Sequence, residues 1–109
     1  MDRVLIVHYG VGILVAALAA LFVWRQMGRR IMIYALTLQI LLGFYLIYAG
    51  LRAPSTHYAL AIVAWIGYMV ANGIARRAGR EKMALGITVL STLFVLVAFY
   101  LGQRAVQGG

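Results

Sequence analysis

The chain has two histidines, and both stand in the same setting. Arg3-Val-Leu-Ile-Val-His8-Tyr9 and Arg52-Ala-Pro-Ser-Thr-His57-Tyr58 each read R-x-x-x-x-H-Y. An imidazole can ligate a metal, carry a proton or bond across helices. Here it has little company. There is no cysteine, and Asp2 and Glu81 are the only acids. Disulfides, thiolate metal sites and cysteine nucleophiles are excluded. The sequence offers no nucleophile triad, no paired carboxylate and no glycine-rich phosphate loop. Zinc would want four ligands, and no carboxylate or cysteine joins the histidines. Copper could use Met27, Met32, Met69 and Met83, but these lie toward the opposite end of the helices. Two histidines alone suffice to hold a haem iron from its two axial sides.

The elements that must position them are apolar. The 109 residues are 65% hydrophobic, with a mean hydropathy of +0.96. Four uncharged stretches predict transmembrane helices at about 4–24, 31–51, 56–75 and 83–103, each near the 20 or so residues that cross a hydrocarbon core about 30 Å thick. Continuous rather than alternating apolarity speaks against a β-barrel. The first stretch is too long, and its Met-Asp-Arg start too weakly basic, for a secretory signal peptide.

The net charge of +8 follows membrane topology rather than a nucleic-acid footprint, so no nucleic-acid partner is expected. Arg25, Arg29, Arg30, Arg76, Arg77, Arg80 and Lys82 fall between the first and second or the third and fourth stretches; only Arg3, Arg52 and Arg104 fall at the other end. The positive-inside rule makes the two basic loops cytoplasmic and both termini extracytoplasmic, in a bacterial or archaeal cytoplasmic membrane.

The echo around the histidines extends further. Thr37-Leu-Gln-Ile-Leu-Leu-Gly-Phe-Tyr-Leu46 and Thr92-Leu-Phe-Val-Leu-Val-Ala-Phe-Tyr-Leu101 are identical at six of ten positions. The chain therefore reads as one domain, an all-α integral membrane four-helix bundle built from two parallel helical-hairpin repeats, 1–51 and 52–109. Parallel repeats are related by a pseudo-two-fold axis along the membrane normal. Each histidine lies four residues inside its apolar stretch, ~6 Å below the outer boundary.

Below His8 the same helix face carries Gly12, Val15 and Ala19, and below His57 it carries Ala61, Ala64 and Tyr68. Gly12 and Ala61 directly beneath the histidines can serve close helix packing or leave room for a flat macrocycle. Arg3 and Arg52 sit at the boundary where they could reach haem propionates or simply snorkel. Tyr9 and Tyr58 could line a cofactor edge or join Tyr45 and Tyr100 in an aromatic belt. Gln39 and Asn72 are expected to hydrogen-bond neighbouring helices.

A histidine helix, then Gln39-Ile-Leu-Leu-Gly43, then a short outer loop into a second histidine helix resembles one four-helix half of a haem A synthase, over about residues 4 to 75. By that resemblance His8 and His57 correspond to the paired haem ligands. The departures limit what carries over. The synthase has an acidic residue three positions before a histidine, where this chain has Leu5 and Pro54, and the outer-loop cysteines are absent. The oxidation chemistry is therefore not carried over.

The resulting expectation is a small b-type cytochrome, an electron carrier rather than a catalyst. It would bind one bis-histidine haem b near the outer face, embedded in membrane lipid. A quinol or an outer-face electron-transfer protein would be its partner, within or beside a larger respiratory or photosynthetic complex. The alternative is a cofactor-free accessory subunit. A small proton-coupled exporter would need a carboxylate inside a span, and this chain has none there.

Overall fold

The computed structural model describes residues 3–50, 55–77 and 79–106. Among them there are four α-helices: α1 (Arg3–Leu21), α2 (Gln26–Tyr48), α3 (Ser55–Ile74) and α4 (Glu81–Val106). All four are long and apolar enough to cross a membrane.

The predicted boundaries shift where charge was taken to end a helix. α1 stops at Leu21 rather than 24, and α2 begins at Gln26 rather than 31. Arg29 and Arg30, expected in the connecting loop, lie inside α2. Arginine is a good helix former, so the hydropathy boundary and the helix boundary need not coincide. The loop shrinks to residues 22–25, and its Phe22 carbonyl occupies the place where a Cβ on Gly28 would stand. Only glycine permits so close a turn. At the other ends, Gly50 follows α2 with φ of 99° and Gly79 lies before α4 with φ of 79°. Both adopt the left-handed conformation that suits glycine after a helix.

The helices form a closed ring. α1 packs on α2, α2 on α3, α3 on α4 and α4 back on α1, while the diagonal pairs make no close backbone approach. The two histidine helices thus stand on one diagonal. The core runs along the axis through Val15, Leu18, Ala19, Val23, Met32, Leu36, Ala64, Tyr68 and Val95.

Polarity is arranged inside out. The buried set includes Arg29, Asn72, Thr88, Ser91 and Thr92, while Leu21, Phe22, Leu41, Phe44, Leu93 and Tyr100 are exposed. Arg29, Asn72, Thr88 and Thr92 each have a hydrogen-bond partner. Tyr68 OH and Thr92 Oγ1 lie 2.9 Å apart, Thr88 Oγ1 donates to Ala84 O at 2.7 Å, and Trp65 Nε1 donates to Thr37 Oγ1 at 2.9 Å.

Candidate functional site

Both histidines line one apolar cleft at the end of the bundle that carries the N-terminus of α1 and the C-terminus of α4. The cleft holds about 70 Å³ of free space, opens partly to the outside, and all four helices contribute to its wall. α1 supplies His8, Gly12 and Val15; α2 supplies Leu36, Gln39, Ile40, Gly43 and Phe44. From α3 come His57, Tyr58, Ala61 and Ile62, and from α4 Val95, Ala98 and Phe99.

Their hydrogen bonding differs. His57 Nδ1 lies 2.6 Å from Ala98 O. A carbonyl only accepts, so Nδ1 carries the proton and Nε2 keeps its lone pair. That is the arrangement found in metal-ligating histidines, where the second nitrogen donates to a fixed acceptor. His8 Nδ1 is buried and has no partner. Gln39 stands beside it: its Nε2 donates to His8 O at 2.8 Å, and its buried Oε1 is unpaired. Two unpaired polar atoms on one apolar cleft are unusual, since buried polar groups are nearly always satisfied.

Each ring rests on a glycine of the following helix. A Cβ added at Gly102 would stand 2.7 Å from His57 Cε1, and one added at Gly43 would stand 3.5 Å from His8 Cε1. Gly12, expected to leave room for a macrocycle, is buried with Gln39 Nε2 only 3.1 Å from the place of its absent Cβ and the Phe99 ring 3.5 Å away. The missing side chain admits the Gln39 amide to the α1 backbone. Ala61 is half-buried and lines the cleft directly, as does Tyr58. Tyr9 is exposed and does not line the cleft, though its ring lies 6.3 Å from that of Phe99, which does. Arg3 is exposed at the start of α1 and does not line the cleft. Arg52 lies outside the described residues.

Gly43, Gly102, Ala98 and Phe99 were not singled out by composition or spacing as part of a site. The available signal was the pairing of a histidine near the start of one helix with a small residue near the end of the next.

No protein family, curated protein or solved structure matches this chain.

Proposed function

We propose that the chain spans a membrane with its basic turns on the cytoplasmic side, and that it is a small b-type cytochrome. In this reading it holds one haem b between His8 and His57 near the outer face. The observation that carries the reading is the meeting of the two histidines, from diagonally opposed helices, on one apolar cleft with an unpaired imidazole nitrogen. The inside-out polarity supports the membrane reading, because lipid-facing side chains need not be polar. His57 offers Nε2 because Ala98 O fixes its tautomer. His8 Nδ1 is buried without a partner, so no hydrogen bond fixes the tautomer of this ring.

Haem iron held by two histidines supplies a one-electron couple without an open coordination position. The chain's own part is to orient the two rings, exclude water with Ile40, Phe44, Ile62 and Phe99, and keep the couple near one membrane face. A carrier at ~6 Å depth leaves about 20 Å of a 30 Å core uncrossed. The protein would therefore pass electrons laterally, between a quinol and an outer-face acceptor, rather than across the membrane. Two hairpins related by a pseudo-two-fold axis account for the paired sequence contexts.

The test is the visible spectrum of the purified protein. A Soret band with sharp reduced α and β bands, unchanged by carbon monoxide, is expected. His8→Ala and His57→Ala should each leave a carbon-monoxide-reactive haem or none. A colourless, well-folded preparation would overturn the reading in favour of a cofactor-free accessory subunit.

A further inference from the structure

Arg29 is buried at the basic end of the bundle, only 6% exposed. Its Nε donates to Asn72 Oδ1 at 3.3 Å and its Nη1 to Val23 O at 3.1 Å. These bonds tie the start of α2 to the end of α3 and to the α1–α2 turn. They also fix the guanidinium plane. A guanidinium has five N–H groups, and Nη2 has no hydrogen-bond partner among the described residues. No carboxylate neutralises it either: Glu81 is the one acid among the described residues, is exposed, and makes no ion pair with it. Buried charges are, as a rule, paired. This one has two neutral acceptors and no anion.

Its surroundings add more positive charge. Arg25, Arg30, Arg76, Arg77, Arg80 and Lys82 are all exposed at the same end. The flank beside Arg29 is apolar and equally open, with Phe22 56%, Trp24 44%, Met27 74% and Ile31 49% exposed. A free anion would answer the charge alone, whereas on the membrane-spanning reading that flank already faces acyl chains. A lipid answers both, its phosphate on the guanidinium and its acyl chains along the flank. Basic pockets between helices on the cytoplasmic side take anionic headgroups in this way, and arginine suits phosphate because its fork can bond two oxygens.

We infer that the α1–α2 turn and the adjoining end of α3 form a binding site for the phosphodiester of an anionic lipid, with Arg29 Nη2, unpaired and open to the surface, as the donor. The inference rests on the membrane-spanning reading and is independent of haem. The exposed arginines draw the headgroup in; Arg29 holds it.

The test uses the full chain, delipidated in a neutral detergent. Thermal unfolding and native mass spectrometry are recorded with phosphatidylglycerol, with phosphatidylcholine of the same chains, and with inorganic phosphate. Phosphatidylglycerol should raise the melting temperature and stay bound at about one per chain, and the other two should do neither. Arg29→Lys keeps the charge and loses the second nitrogen, so it should fold and retain at least fivefold less phosphatidylglycerol. Arg76→Gln with Arg77→Gln should weaken retention by less. Equal retention by the wild type and Arg29→Lys would overturn the assignment. Equal response to both lipids would mean there is no anion site, and an equal response to inorganic phosphate would remove the lipid as ligand. Should Arg29→Lys fail to fold, the lipid comparison on the wild type still decides. Extraction of the protein from membranes by alkaline carbonate would instead show the spanning reading to be wrong.

Discussion

Between α3 and α4 the backbones come close. Ser91 Oγ fills the place of a side chain at Gly67, Tyr68 OH meets Thr92 Oγ1 at 2.9 Å, and His57 lies on Gly102 while donating to Ala98 O. Between α1 and α2 the backbones stay further apart: the Gln39 side chain reaches across to the His8 carbonyl at 2.8 Å, and His8 Cε1 lies 3.5 Å from the place of a Cβ on Gly43. The two hairpins share their R-x-x-x-x-H-Y and T-L-x-x-L-x-x-F-Y-L landmarks, yet one imidazole is fixed and the other is left without a partner. These shared landmarks put like residues at like places along each pair of helices. The residues between them decide how closely the helices meet. In the ten-residue echo the one change of character is Gln39 against Phe94. Gln39 is also the residue that makes the first hairpin different.

That contrast can be broken most forcefully at Gly67. Gly67→Leu should drive α3 off Ser91 and cost about 3 kcal/mol or more, the upper end for overpacking a close contact. Gly12→Leu in the looser hairpin should cost less, displace Gln39 from His8 O, and lower haem content while the bundle stays inserted. Denaturation in detergent, read by far-ultraviolet circular dichroism, checks both; equal losses would show the two hairpins to be equally tight.

A finer cut compares the glycines under the rings. Gly102→Ala puts a methyl group 2.7 Å from His57 Cε1, so the ring must leave Ala98 O. A cost of about 1–3 kcal/mol is expected, with a shifted haem spectrum. Gly43→Ala meets His8 at an ordinary contact distance of 3.5 Å and should be neutral or stabilising by up to about 1 kcal/mol, the usual gain of alanine over glycine within a helix. A thermal melt and a pyridine haemochrome assay on each variant test the pair.

The smallest effect separates the histidines themselves. In protein without haem, His57→Ala removes a hydrogen bond and should cost about 1 kcal/mol. His8→Ala removes an unpaired buried nitrogen and should cost less or even stabilise. Identical melting temperatures for the two haem-free variants would mean that Ala98 O is no special partner of His57.

The four helices, their order and the faces below the histidines were legible in the sequence because apolar length and a 3.6-residue period both point to them. Gly12, Val15 and Ala19 are buried beneath His8, and Ala64 and Tyr68 beneath His57. Asn72 and Gln39 bond neighbouring helices as their types suggest. The start of α2 was not legible, since charge was read as a boundary and Arg29 is instead a buried tie. Nor was the bed of each imidazole. Gly102 lies 45 positions from His57, and only the ring of helices brings them together.

That ring has a consequence for how the protein is made. Its thinnest seam joins α1 to α4, the earliest and the latest made of these four helices. Until α4 arrives, His57 has no Ala98 carbonyl and the cleft lacks the wall that Phe99 supplies. The nascent chain thus presents an open three-helix trough with both imidazoles accessible from the side. On the haem reading proposed above, loading during synthesis would meet a wider opening than the partly open cleft of the finished bundle.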